Sequence, residues 1–161
     1  MSSFENKADC KRSSDGTETT SQVPSTKSTH NGPDKIILSL DRSGSMMANG
    51  LCQALVKGVN SLICEQREVA QDSETNPDIE VYVFNQSTEL IRSGKIADIT
   101  EISECEVMPR GGTALNDNIA HVLDSNKDNS NVLYFIFTDG EENSSGKHRG
   151  EDGRQYCKSL I

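Results

Sequence analysis

Lys35-Ile-Ile-Leu-Ser-Leu40 runs straight into Asp41-Arg-Ser-Gly-Ser45, and the fold is read from this junction. A short, almost unbroken apolar run containing β-branched residues suits a strand covered on both faces. The polar turn behind it places a carboxylate and two hydroxyls at that strand's carboxyl end. Downstream, Leu51, Leu55, Val59 and Leu62 recur at helical spacing, so Met46 to Ala70 is expected to be a helix. Gly50 and Gly58 weaken it, each costing about 1 kcal/mol relative to alanine. After the breaker Asn76-Pro77-Asp78, Ile79-Glu-Val-Tyr-Val-Phe84 reads as a second strand. Asn85-Gln-Ser87 then turns the chain into a short antiparallel edge strand, Thr88 to Arg92. A short helix is expected over Ile96 to Ile102. A better one spans Thr113 to Leu123, with Leu115, Ile119, Val122 and Leu123 on one face. Asn131-Val-Leu-Tyr-Phe-Ile-Phe137 is the most apolar stretch and reads as a central strand. A glycine-rich link, Gly146 to Gly153, leads to a last helix carrying Tyr156, Leu160 and Ile161.

Strands alternating with helices predict an α/β fold with right-handed crossovers. The sheet is Rossmann-like: open, mostly parallel, with helices on both faces and one antiparallel edge strand. The second strand lies beside the first, its hairpin partner lies outside it, and the strand at 132–137 takes the other flank. That gives the order three-two-one-four, which reverses between the first and fourth strands. Open α/β sheets bind ligands at the carboxyl ends of strands at such a reversal. Two segments leave the sheet there: Asp41-Arg-Ser-Gly-Ser45 and Thr138-Asp-Gly-Glu-Glu142.

Composition divides the 161 residues into two materials. Residues 1–34 hold twelve serines and threonines, five acids, four bases and no apolar run, so a disordered tail is expected there. The expected domain is 35–161; it carries twenty acids against twelve bases, most of the chain's net charge of −9. Such a balance excludes a general nucleic-acid binder, whose footprint is basic. Aromatic residues make up 4% and tryptophan is absent, which argues against a stacking platform for single strands. No apolar run reaches the roughly 18 residues of a membrane span. Met1 to Cys10 has no apolar core of a secretory signal. The five cysteines (Cys10, Cys52, Cys64, Cys105 and Cys157) form no CxxC pair. Reduced thiols and a cytoplasmic location are therefore expected.

At the crevice the donors are hard oxygens. Asp41, Ser43 and Ser45 alternate along one turn, Asp139 leaves the neighbouring strand at the same height, and Thr113 follows the flexible Arg110-Gly-Gly112 loop. Two carboxylates and three hydroxyls suit Mg²⁺ or Mn²⁺ and disfavour zinc. Two carboxylates only cancel a +2 charge, so a cation here stays electrophilic toward a carboxylate brought by a partner.

These residues resemble a known family. Asp41-Arg-Ser43-Gly-Ser45, Gly112-Thr113 and Thr138-Asp139-Gly140, in that order, are similar to the three motifs of a von Willebrand factor type A domain with a metal-ion-dependent adhesion site. Gly58-Val-Asn-Ser-Leu62 and the Glu-Glu-Asn-Ser-Ser after Gly140 resemble small, stand-alone intracellular members. The resemblance implies Asp41, Ser43, Ser45, Thr113 and Asp139 as metal ligands. It implies Mg²⁺ (or Mn²⁺) as cofactor, a protein ligand presenting an acidic residue as partner, and no catalysis. It covers 35–161 and ends inside the helix that members usually follow with another parallel strand, so the carboxyl-terminal flank is expected to be incomplete. A strand without gatekeeper charges from Val132 to Phe137 then predicts self-association through the open edge, or uptake of a partner's strand.

Blander and rival readings stand beside these. Asp41 and Thr113 are both suited to capping the helices that follow them. Glu141 and Glu142 read as a solvated charge pair, and His121 as a solvated side chain. Asp124 to Phe135 fails as a calcium loop, with Asn129 and Phe135 at its key positions. The enzymatic alternative is a Mg²⁺-dependent phosphotransferase of haloacid-dehalogenase type, with Asp41 as nucleophile. That chemistry wants a second aspartate where this chain has Ser43.

Overall fold

The computed structural model describes residues 32–161. Four strands are present: β1 (Lys35–Asp41), β2 (Asp78–Phe84), β3 (Thr88–Lys95) and β4 (Val132–Phe137). The helices are α1 (Leu51–Asp72), α2 (Leu115–Ser125) and α3 (Gly150–Ser159), and a 3-10 turn spans Gly44–Gly50. The strands form one sheet in the order β3-β2-β1-β4, as the sequence predicts. β1 is parallel to β2 and β4, pairing Asp41 with Phe84 and Leu40 with Phe137, while β3 is antiparallel to β2. No helix of the described residues is long and apolar enough to cross a membrane.

β1 is central because both of its faces are covered. Ile36, Leu38 and Leu40 pack with Leu55, Val59 and Ile63 of α1, while Ile37 joins Tyr82 and Val122 of α2 on the other face. The alternation continues into Ser39, whose hydroxyl is 2.9 Å from that of Tyr134. Asp41 is next on that face. β4 is the second edge of the sheet among the described residues, with Ile136 exposed, although its composition reads as central.

Several expected boundaries move, each for a physical reason. The helix expected over 46–70 begins only at Leu51, because Asn49 (φ 52°) and Gly50 (φ 73°) are left-handed and cut it from the 3-10 turn. Ile96 to Ile102 is not helical. Ile96, Ile99 and Ile102 are buried, but the segment is an irregular strap whose backbone is satisfied from α1. Arg67 donates to the carbonyls of Ile96 (3.1 Å) and Ile99 (2.7 Å), and Asn60 bonds both the carbonyl and the N–H of Ile102 at 2.9 Å. Three-residue spacing of isoleucines thus mimics a helix without forming one. β3 runs on to Lys95, where an ion pair of 2.7 Å joins it to Asp78. In α2 the buried positions are Asn116, Asn118, Ala120 and Val122, whereas Leu115, Ile119 and Leu123 are only half-buried. Of the expected tail, all but Gly32, Pro33 and Asp34 lies outside the described residues, as does Cys10.

The start of α2 is held by a distant loop. Its N-cap is Ala114, which offers no side-chain acceptor, and Thr113 lies one residue further out. Glu142 instead accepts the N–H of Asn116 (2.8 Å), and the Ser145 hydroxyl accepts that of Asp117 (3.1 Å). Glu142 also takes the N–H groups of Ser144 and Ser145 and the Ser145 hydroxyl. It is thus no solvated partner of the exposed Glu141. In return, Asp117 accepts the N–H groups of Gly146, Lys147 and His148 and sits 3.0 Å from the His148 ring. Burial works against ionisation of Glu142, but donors from Asn116, Ser145 and Ser144 outweigh it and hold the carboxyl below its ordinary value of 4.5. Burial likewise opposes ionisation of Asp117, and donors from His148, Gly146 and Lys147 hold it below 3.8.

Two outcomes are expected. Leu38→Ala, at a fully buried position in the middle of β1, costs about 3 kcal/mol in urea unfolding, whereas Leu90→Ala on exposed β3 costs under about 1 kcal/mol. The second concerns acid. Glu142 and Asp117 bind protons more weakly in the folded chain, so their contribution is complete above the unfolded values and is lost as pH falls through the folded ones. Amide-exchange protection at Asn116 and Ser144 to His148 should therefore fall below about pH 4, before that of β1 and β2. Equal loss in both regions contradicts this account.

Candidate functional site at the ends of β1 and β4

Three segments meet at the carboxyl ends of β1 and β4. Asp41 is fully buried, and both its oxygens are engaged. The N–H of Ser43 donates to Oδ1 at 2.7 Å, which curls the chain into a turn immediately after the strand. The hydroxyl of Thr138, the first residue beyond β4, donates to Oδ2 at 2.7 Å. Ser43 and Ser45 hydroxyls share a hydrogen bond of 2.9 Å; Ser43 is buried and Ser45 exposed. One carboxylate and three hydroxyls are thus gathered as two side-chain pairs, Asp41 with Thr138 and Ser43 with Ser45, joined through the Ser43 N–H.

The 110–114 loop is fastened on both sides. Arg110 N–H donates to the Arg42 carbonyl (2.8 Å) and Gly44 N–H to the Gly111 carbonyl (2.9 Å), while Asn85 bonds the Arg110 carbonyl and accepts Ala114 N–H. Thr113 is buried; its N–H donates to the Asn143 side chain at 2.8 Å, and its carbonyl accepts Asn143 and Ser144 N–H at 3.0 Å each. A Cβ at Gly112 would meet the Ser144 hydroxyl and the Asn143 side-chain oxygen, so a larger residue there fits only if those side chains shift. Gly111 stands at φ 73°, where a side chain is strained.

Of the five residues expected here, Asp41, Ser43 and Ser45 form one connected group. Thr113 is brought to its edge through backbone bonds. Asp139 is exposed, and no hydrogen bond holds its carboxylate among the described residues; its place follows from Thr138 and from Gly140, whose N–H donates to the Thr138 hydroxyl at 3.1 Å. Thr138 and Asn143 are structural members that sequence reasoning did not single out as contacts, although both stand in stretches quoted for the resemblance. Arg42 is a further one. It is buried, its guanidinium reaches Glu89 of β3 at 2.7 Å, and its Nε has no partner. Among the described residues no three His, Cys, Asp or Glu side chains gather as a metal-binding cluster. Any cation held at this crevice rests on hydroxyls as much as on carboxylates, a donor set that fits a hard divalent ion.

No protein-family model and no curated relative matches the chain. Solved structures do. A von Willebrand factor type A protein from Catenulispora acidiphila superposes with a TM-score of 0.57 over 81% of this chain, at 17% identity. The ArnB paralog VWA2 from Sulfolobus acidocaldarius gives 0.55 over 78%, at 19% identity. The pilus adhesin SpaC from Lactobacillus rhamnosus GG gives 0.53 over 69%, also at 19%. The matched region spans 31% of each of the first two proteins and 15% of the third. Together with the sheet order and the crevice at its reversal, these likenesses identify the fold of residues 32–161 as that of a von Willebrand factor type A domain.

Proposed function

We propose that this domain is a non-enzymatic, protein-binding module whose adhesion site works through Mg²⁺ or Mn²⁺. In this reading Asp41, Ser43, Ser45, Thr113 and Asp139 hold the cation, and a carboxylate from a partner protein completes its shell. The observation that carries the reading is the buried Asp41 joined to Ser43 and Thr138, beside the paired Ser43 and Ser45 hydroxyls. The hydroxyls are neutral and the two carboxylates only cancel the charge of a divalent cation, so the occupied site carries no net negative charge and the cation retains attraction for an acidic side chain. The bound cation supplies that attraction; the chain positions it on rigid strand ends. One protein of the same fold is a pilus adhesin, which agrees with a binding role.

The phosphotransferase alternative gains nothing from the geometry. Ser43 stands where the general acid of that chemistry is wanted, and the Asp41 oxygens are engaged by Ser43 and Thr138 rather than by a second carboxylate. Cys52, Cys64, Cys105 and Cys157 are free, two of them exposed, which supports placing the module in a reducing, cytoplasmic setting.

Calorimetry on the full chain tests the metal. Asp139→Ala removes an exposed charge and should cut Mn²⁺ affinity by at least about tenfold without loss of stability. Asp41→Ala should abolish binding and also destabilise by about 1–3 kcal/mol, because it strands the Ser43 N–H in a buried turn. Ser43→Ala, Ser45→Ala and Thr113→Ala remove neutral donors and should weaken binding less. Unchanged Mn²⁺ affinity in both aspartate variants ends the reading.

A further inference from the structure

The apolar stripe of α2 stays outside the two clusters that form the core. Leu115, Ile119 and Leu123 recur on one helix face, yet they are only half-buried. On β4, Val132, Tyr134 and Ile136 share the sheet face turned toward α2, and Ile136 is 37% exposed. All six side chains, with Cys157 of α3, line one open groove of about 630 Å³. The backbone beside it is also unfinished. β4 pairs with β1 along one side only, so alternate N–H and C=O groups on its other side have no strand partner among the described residues. The charged side chains lining the groove are Arg154 and Lys158, and no acidic side chain lines it. Arg154 is largely exposed, with Glu151 at 3.7 Å, and Lys158 has no ion pair among the described residues. Arg154 also lines a neighbouring cavity of about 400 Å³ together with Arg149. The acid in that cavity, Glu142, is already taken up by backbone N–H donors. The flank is therefore apolar and cationic in a chain of net charge −9.

We propose that this groove takes an extended segment of a partner protein, which adds to β4 as a further strand and carries acidic residues beside its apolar ones. Pairing with the free edge of β4 gives the segment its register, and its apolar side chains cover Ile136 and the α2 stripe. Its acids meet Arg154 and Lys158. A helix laid in the same groove leaves the β4 backbone unpaired, so an extended occupant is favoured. A second copy of this chain has the wrong charge. Antiparallel pairing of β4 with itself about a two-fold axis puts both α3 helices on one face, with Arg154 and Lys158 of each copy turned toward those of the other. The groove needs no cation, so this inference is independent of the metal reading.

The test uses the full chain in EDTA and two acetylated, amidated peptides with one core: Glu-Glu-Val-Thr-Val-Thr-Val-Glu-Glu and Lys-Lys-Val-Thr-Val-Thr-Val-Lys-Lys. At low salt the acidic peptide should bind about tenfold more tightly than the basic one. It should slow amide exchange along Val132–Phe137 and leave β3, the other edge of the sheet, unchanged. The double variant Arg154→Glu, Lys158→Glu should reverse the order of the two peptides. Ile136→Lys, which places a charge on the open edge, should weaken both. These side chains are exposed, so the double variant should keep the parent chain's melting temperature. The proposal is overturned if the two peptides bind alike, if neither binds, or if the acidic peptide leaves β4 exchange unchanged. A dimer in sedimentation whose β4 amides are protected without peptide overturns it in favour of self-pairing.

Discussion

A carboxylate with no solvent exposure must find donors within the protein, and Asp41 finds them on two different segments. Its bond to the Ser43 N–H shapes the turn after β1, and its bond to the Thr138 hydroxyl fastens the end of β4 to the end of β1. Charge-assisted bonds of this kind are shorter and stronger than neutral ones. The same group that would attract a cation therefore also sets where the neighbouring hydroxyls stand. Removing it loosens the site and the join between two strands together.

Around that group the crevice is a hydrogen-bonded assembly set on a rigid sheet. Arg42 is bonded through its backbone to Phe84 of β2 and to Arg110, while Asn85 ties β2's end to the loop that carries Thr113. Thr113 is in turn bound to Asn143 and Ser144 of the segment after β4. Each strand end thus holds a neighbour's loop. Sites supported in this way keep their geometry better than sites on free loops. Asp139 is the exception. It is exposed and unbonded at the rim, the freest of the five candidate donors.

Periodicity and apolar runs carried most of the fold. β1, β2 and β4 were legible because an almost continuous apolar run has few other uses, and the strand order followed from the crossovers. What was not legible depended on partners distant in the chain. Ile96, Ile99 and Ile102 looked helical because only tertiary bonds from Arg67 and Asn60 make an irregular strap affordable there. Thr113 looked like a cap because the true acceptors for α2, Glu142 and Ser145, are some thirty residues away. At the site, residue types and spacing located Asp41, Ser43 and Ser45. Thr138's bond to Asp41 and the buried Arg42 guanidinium arise only once β4 and β3 are in place.

The capping of α2 from a distance bears on the order in which the domain assembles. Until the segment after β4 docks, the amides of Asn116 and Asp117 lack the acceptors they have in the finished domain. That segment cannot dock before β4 has paired with β1, across almost a hundred residues of intervening chain. Closing so long a loop is slow compared with forming α1 or the β2–β3 hairpin. The crevice is accordingly complete only when residues 138–145 are in place, since Thr138, Glu142, Asn143 and Ser145 supply bonds that no earlier segment provides.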